Sequence, residues 1–502
     1  MKVENLGNYL RVYPEPHGNF NPWMFLGCRH QKHEPYYTVE NNITNQIVLG
    51  MLPDESHEEY YELKYPEGLM DYQMRDVRKM VSKKRCLNIN RMGYGKTVEA
   101  IRAMRELNIR NAVIVAPKTV LNQWKAQFKK WWPGVYDSVV IWENVNTPIY
   151  SNTIVLINYE KLLNERVMTI LRSTRWDMLL LDEAHRIKNR TSKRAAAVKL
   201  IPSEYKWAMT GTPILKKPDD LWSILNFLGV KYSGISYWNF VNYYCKVVEG
   251  FFGNKIVGLT ENSTRVATFK KLLDHVAINN PDLALTKGKT VETVELVMSA
   301  KQKRLYRDAK ALVLDELPEG CTIANGAVQC LRLVQITSNP GLWLENEWGV
   351  KFEYIAEMLE DNPDEKIVVF SRFATTCETL QKYLATKKVK SEVYTGKQSA
   401  ADKLSAKMEF IENPKCRALL GTIGAMGEGV DGLQEVARIV IFLDRDWSSE
   451  INEQCEDRLN RLGQKERVLV QYLECKGTYD KYVDKVTSME AADIRTLLAV
   501  EE

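Results

Sequence analysis

Two short strings, NRMGYGKT (Asn90–Thr97) and LLLDEAH (Leu179–His185), constrain this chain more than any other feature. The first sets Gly93 and Gly95 just ahead of Lys96 and Thr97, behind a short apolar lead from Cys86 to Ile89. Glycines there let backbone N–H groups close around phosphates, while Lys96 reaches the terminal phosphates and Thr97 can ligate Mg²⁺. The second string is an apolar run ending in two acids, the pattern of a buried parallel strand that delivers carboxylates to its C-terminal edge. Asp182 would hold the metal's water shell and Glu183 would orient the attacking water. Taken alone, the first string also fits a plain glycine-rich turn before a helix, and its first position is Asn90 where glycine is usual. Both strings in this order point to a nucleoside-triphosphate site.

Composition bounds the class without deciding it. A chain of 502 residues should hold roughly two to four domains, each with its own core. Its 45% hydrophobic and 26% charged content is that of an ordinary globular protein. A net charge of +5 is too small to establish a nucleic-acid partner. Local basic clusters say more: Lys118, Lys125, Lys129 and Lys130, then Arg186, Lys188, Arg190, Lys193 and Arg194 just after the acids. Either could be a solvated helix face; their position beside the two strings favours phosphate contacts. The nine cysteines form no CxxC pair, and the N-terminus lacks a signal-peptide pattern. No apolar run approaches ~18 residues, so no membrane span or membrane partner is expected. The expected location is the reduced cell interior: cytoplasmic in a bacterium or a virus-infected cell, nuclear in a eukaryote.

Along the chain, residues 1–62 are rich in Pro, Asn, His and aromatics and read as a small β-containing module or extension, with alternation from Asn45 to Leu52. His17, Cys28, His30 and His33 are too irregularly spaced for a zinc site. From Gly68 onward, strand-like runs alternate with amphipathic stretches, the mark of a parallel α/β sheet. Predicted strands are Cys86–Ile89, Ala112–Val115, Ser138–Ile141, Thr153–Ile157, Met178–Leu181 and Trp207–Met209. The rhythm restarts at Ile367–Phe370, Ser391–Tyr394, Arg417–Leu420, Arg438–Leu443 and Leu469–Leu473, after predicted helices Lys301–Leu314 and Ala327–Gln335. Two α/β lobes follow, residues 63–285 and 286–502, the second with a helical insertion near 300–345. Two unlike lobes sharing one nucleotide loop suggest a cleft that opens and closes.

The order of these strings resembles helicase superfamily two, and within it the Swi/Snf-type DNA translocase ATPases, from about Leu69 to Val486. LMDYQMRDV (Leu69–Val77), VIVAPKTVLNQW (Val113–Trp124), VLINYEKL (Val155–Leu162), DEAHRIKN (Asp182–Asn189) and MTGTPI (Met209–Ile214) carry the resemblance in the first lobe. LRLVQITSNPGL (Leu331–Leu342), KIVVFSRF (Lys366–Phe373), EQCEDRLNRLGQ (Glu453–Gln464) and GTYDKYV (Gly477–Val483) carry it in the second. It implies two RecA-like lobes with parallel sheets flanked by helices, ATP and Mg²⁺ as cofactors, and double-stranded or forked DNA as partner to a monomeric motor. Gln73 would recognise adenine, and Met92, Gly93, Tyr94, Gly95, Lys96, Thr97, Gly429 and Asp431 would line the nucleotide. Pro117, Lys118, Asn158, Tyr159, Ser371, Arg372 and Thr422 would contact nucleic acid, positioning it by its phosphates without reading sequence. Thr210, Gly211, Thr212 and Gln464 would couple nucleotide state to DNA.

Arg458 and Arg461 are three apart, so a helix would set both on one face, as a fork suited to neutralising the transferring phosphoryl group. Incidental ion pairs of a surface helix with Glu456 or Asp457 are the plainer alternative. The chain also departs from the family. An acidic pair commonly precedes the glycines, where Asn90 and Arg91 stand; Leu215 and Lys216 replace the usual Gln-Asn. TIGAMGEGVDGL (Thr422–Leu433) is nearer the fork-remodelling, strand-annealing branch. The expected activity is an ATP-dependent duplex-DNA translocase serving replication, repair or recombination. Its rivals are a strand-separating DNA or RNA helicase, for which no wedge is visible in the sequence, and a catalytically silent binding module.

Overall fold

The computed structural model describes residues 1–14, 24–25, 28–30, 34–51, 61–144, 147, 149–211, 218–229, 236–250, 253–280, 286–315, 323–345, 347–427, 430–481 and 483. His17, His33, Thr212 and Gly429 lie outside the described residues. The chain forms two compact units, the first running from Met1 to Asp282 and the second beginning at Leu283.

The strands of the first unit are β1 (Lys2–Asn5), β2 (Tyr9–Tyr13), β3 (Tyr37–Glu40), β4 (Arg85–Asn88), β5 (Ala112–Ala116) and β6 (Val139–Ile141). They continue with β7 (Ile154–Asn158), β8 (Trp176–Asp182), β9 (Ser203–Met209), β10 (Cys245–Gly250), β11 (Gly253–Leu259) and β12 (Ala277–Ile278). Seven of them form one sheet in the order β12-β4-β9-β8-β5-β7-β6, parallel at every pairing. Helices cover both faces, so β5 and β7 are buried along their whole length and read as continuous apolar runs. One face packs Val113, Val155, Leu179 and Leu181; the other packs Ala112, Ile114, Leu156 and Leu180. All six strands predicted for this lobe are present.

β1, β2 and β3 make a separate antiparallel sheet that buries Leu10, Val12, Val39 and Phe25. It is docked on the helix Tyr237–Tyr244: Tyr243 Oη donates to Met24 O (2.7 Å), and Tyr244 Oη pairs with Thr44 Oγ1 (2.7 Å). The alternation from Asn45 to Leu52 does not make a strand. Residues Ile43–Val48 are helical instead, because the Asn42 side chain accepts from Asn45 N as an N-cap, and Ile43 and Ile47, one turn apart, are buried together. β10 and β11 form an antiparallel ribbon that the sequence did not signal.

The second unit holds β13 (Lys289–Leu296), β14 (Ile367–Ser371), β15 (Lys390–Tyr394), β16 (Cys416–Thr422), β17 (Ile439–Phe442) and β18 (Val468–Cys475). Their order is β13-β18-β17-β14-β16-β15, again parallel throughout. β13 is the unpredicted one; it is an edge strand with Thr290, Val291 and Glu292 exposed, so its alternation carries little hydrophobic signal. The helices Ala300–Asp315 and Ile323–Ser338 pack through Tyr306, Leu333 and Ile336.

The string GTYDKYV closes this unit. Asp480 accepts from the fully buried Lys351 Nζ (2.9 Å), from Thr337 Oγ1 (2.9 Å) and from Cys475 N (3.0 Å). Among the described residues no helix is long and apolar enough to cross a membrane.

Candidate nucleotide and nucleic-acid site

β4 ends at Asn88, and the chain turns through Asn90–Gly95 into the helix Lys96–Glu106. Gly93 (φ +80°) and Gly95 (φ +78°) both occupy the left-handed region, which a side chain would strain. A Cβ on Gly95 would also collide with Gln73 Nε2, so the loop and the helix Asp71–Ser82 fit closely only with glycine there. Gln73 is buried and accepts from Met70 N on Oε1 (3.1 Å). Tyr72 Oη donates to Tyr94 O (2.8 Å). Lys96 Nζ donates to Asn90 O (2.7 Å) and Arg91 O (3.1 Å). Gly211 lies over this lysine: its Cβ would meet Met92 Cγ at 2.7 Å and Lys96 Nζ at 3.8 Å.

β8 delivers Asp182 at its end. Oδ2 accepts from Trp124 Nε1 (2.8 Å) and Oδ1 from Glu183 N (3.0 Å). Glu183 is left-handed (φ +50°), an uncommon and costly conformation for a residue with a side chain. Glu183 Oε2 is 3.2 Å from His185 Nδ1, which in turn is 3.2 Å from Thr210 Oγ1. Thr210 follows β9, and the order β4-β9-β8 sets it between the phosphate loop and the acid pair. Burial, then the neighbouring Glu183 charge, pushes Asp182 up to about 6. The Asp182 carboxylate and the Thr97 hydroxyl at the start of the helix Lys96–Glu106 are hard oxygen donors of the kind that suits Mg²⁺.

Asn90 sits in a buried polar network. Its Nδ2 donates to Asp76 Oδ2 (2.6 Å), and its Oδ1 accepts from Asn280 N (3.0 Å) and Nδ2 (2.9 Å). Asn280 Nδ2 also donates to Asp76 Oδ2 (2.7 Å), while Asn88 Nδ2 donates to Glu99 Oε2 (2.7 Å). Burial pushes Asp76 up to about 6, against its bonds from Asn90 and Asn280. The folded protein therefore keeps a proton that the unfolded chain releases in the ordinary carboxylate range. Stability falls as pH rises from there to about 6 and is flat above. Asp76→Asn keeps an oxygen for both amides and removes the charge. Its melting temperature should exceed the wild type's at neutral pH, with the gap closing toward pH ~4; a variant less stable than the wild type at both ends would show that the amides need the charge.

The expected nucleic-acid residues divide. Lys118 is exposed in the turn after β5. Pro117 and Asn158 are buried, Asn158 capping Lys161 N (3.3 Å). Tyr159 is fully buried and its Oη donates to Asp182 O (2.7 Å), so its side chain supports the acid strand. Ser371 is likewise fully buried, donating to Asp444 Oδ2 (2.7 Å), whose Oδ1 accepts from Arg372 N (2.6 Å). The Arg372 guanidinium lies 5.5 Å from the centre of the Trp447 ring. Thr422, half-buried, precedes the short helix Ile423–Met426. Lys118, Arg372 and Thr422 are the members with surface to offer.

The helix expected to carry both arginines stops at Glu456. Glu456 and Asp457 are drawn to Lys289 Nζ (2.7 and 2.9 Å), and the chain passes through turns to Gly463 (φ +99°). Arg458 is buried and donates to Gly427 O. Arg461 forms an ion pair with Asp431 and reaches Val430 O (3.4 Å). The two arginines are thus held by turns, and neither pairs with the adjacent acids. Gln464 ties this segment down, donating to Ala437 O (2.9 Å) and accepting from Glu466 N (3.0 Å).

Sequence reading missed Trp124, His185, Asp76, Glu99, Asn280 and Asp444. His185 stands inside the DEAH string, Trp124 closes VLNQW, Asp76 lies within LMDYQMRDV and Glu99 follows Lys96 by three in the same helix; Asn280 and Asp444 carry no local signal.

Residues 37–341 match the SNF2-related domain and residues 350–463 the helicase conserved C-terminal domain. An uncharacterized ATP-dependent helicase of Mycoplasma genitalium is 24% identical over 440 residues, covering 81% of this chain and 40% of that protein. An ISWI chromatin-remodeling complex ATPase of Arabidopsis thaliana is 24% identical over 426 residues, covering 76% and 37%. The SWI2/SNF2 ATPase core of Sulfolobus solfataricus, solved in complex with dsDNA, is 21% identical with a TM-score of 0.43, covering 88% of this chain and 100% of that one. The chain spans about two-fifths of the length of the curated relatives it matches. With its first match alone taking in more than half of its residues, the chain belongs to the SNF2-related family.

Proposed function

We propose that the chain is a DNA-dependent ATPase that moves along duplex or forked DNA, remodelling or annealing it in replication, repair or recombination. The observation that carries this is the gathering of Lys96, Asp182, Glu183, His185 and Thr210 at the C-terminal ends of β4, β8 and β9. Lys96 is the group to leave its loop carbonyls for the terminal phosphates of ATP. Glu183, aimed by its left-handed backbone, orients the attacking water, and His185 passes the state of that carboxylate to Thr210. Thr97 and Asp182 would hold Mg²⁺, which would neutralise charge on the phosphates. Arg458 and Arg461 are assigned to the transferring phosphoryl group. Lys118, Arg372 and Thr422 are assigned to DNA phosphates, with little base readout.

The β10–β11 ribbon favours a second reading, strand separation, since such a hairpin can serve as a wedge. Two assays with one preparation distinguish the readings: displacement of a third strand from a triplex, and unwinding of a tailed duplex. Triplex displacement with duplex-stimulated ATPase and no unwinding is the expected result. Unwinding without duplex stimulation would establish the helicase reading instead. DNA binding should also weaken steeply with salt, by roughly 0.9 log units of K per log unit of salt for each phosphate contact.

A further inference from the structure

The Asn90 side chain bonds the phosphate loop to the last described residues of the first unit. Strand β12 is only two residues long and lies at the sheet edge, pairing with β4 through Ala277↔Leu87 and Ile278↔Asn88. Two residues of ladder hold an edge strand weakly. Beyond it, Asn280 is held through Asn90: Oδ1 of Asn90 takes both the backbone N–H (3.0 Å) and the side-chain amide (2.9 Å) of Asn280. Asp76 Oδ2 braces the pair from the helix Asp71–Ser82, at 2.6 Å from Asn90 Nδ2 and 2.7 Å from Asn280 Nδ2. The backbone carbonyl of the same Asn90 accepts from Lys96 Nζ (2.7 Å). Three residues after Asn280, the second unit begins at Leu283.

We propose that Asn90 and Asn280 form a positioning clasp that couples nucleotide at the phosphate loop to the end of the first unit's sheet at Asn280, and through it to DNA binding. This rests on the nucleotide-site reading above. When Lys96 turns to phosphate it releases the Asn90 carbonyl, and the peptide of Asn90 is free to shift. Its side chain has both Oδ1 bonds on Asn280, so the shift is passed to Asn280. An amide suits this position for a stated reason: it donates to Asp76 and accepts from Asn280 at once. A carboxylate at 90 would face Asp76 unpaired at 2.6 Å and could not donate. The departure from the family's acidic residue at 90 is thereby part of the clasp.

The test is a binding linkage, read without turnover. The affinity of a fluorescent, non-hydrolysable ATP analogue is measured with and without duplex DNA, and the ratio of the two is the coupling, commonly about 5–150-fold where sites communicate. Asn280→Ala should bring that ratio to within about twofold of one, with nucleotide affinity in the absence of DNA changed far less. Asn90→Ala should bring the ratio down likewise, and the double variant should lose no more of it than either single one. Should Asn280→Ala fail to fold, Asn280→Ser, too short to reach Asp76, is read in its place. A ratio unchanged from the wild type, or singles whose effects add, overturns the clasp. A merely structural role would lower melting temperature and both affinities together and leave the ratio where it was. Wild-type protein that binds neither nucleotide nor DNA would instead refute the underlying site reading, before any variant is made.

Discussion

Lys96→Ala is expected to abolish ATP turnover together with most nucleotide affinity. Lys96 is the cation that the loop folds around: its ammonium already sits on the Asn90 and Arg91 carbonyls, beneath Gly211. The loop's other cation, Arg91, is exposed to solvent and has no such place. Glu183→Gln provides the contrast. The amide keeps shape and the left-handed turn while losing the carboxylate charge, so ATP should bind with near wild-type affinity while hydrolysis is lost. Equilibrium nucleotide binding and single-turnover hydrolysis on the two variants separate the roles. Near wild-type turnover in Glu183→Gln would falsify the assignment of DEAH as the hydrolytic centre.

Arg461→Ala should lower kcat on the order of 10³-fold, the scale of an arginine finger, with a much smaller change in nucleotide affinity. The structure sharpens the comparison with Arg458. Arg461 is only partly buried and its partner Asp431 is 40% exposed, so removing it leaves a solvated carboxylate and should scarcely move the melting temperature. Arg458 is 3% exposed and donates to the Gly427 carbonyl; its loss strands a buried acceptor and should cost stability as well as rate. Measuring kcat, KM and melting temperature on both variants tells the two apart. A defect in Arg461→Ala confined to KM would make it a ground-state binding residue.

By itself the sequence determined most strands of the two parallel sheets and the strings expected to carry chemistry. Continuous apolar runs such as Ala112–Ala116 and residues 154–157 declare fully buried parallel strands, and Gly-x-Gly-Lys-Thr and Asp-Glu declare a phosphate loop and an acid edge, because both depend on neighbours in the chain. The tertiary structure decided which neighbours in space those residues would have. Strand order is one such decision: β9 enters between β4 and β8, so Thr210 meets His185 though 25 positions separate them. Burial is another. Tyr159 and Ser371, polar residues at strand ends that read as surface contacts, are fully buried and serve Asp182 and Asp444 instead. Ion pairing across the sheet is a third, with Lys289 of β13 drawing off Glu456 and Asp457 where the arginine helix was expected to continue. Nor could the clasp be read ahead of the fold: Asp76, Asn90 and Asn280 lie 14 and 190 positions apart. Local pattern fixes periodicity and backbone conformation within a few residues, whereas hydrogen bonds across such separations exist only once the sheet has set its order.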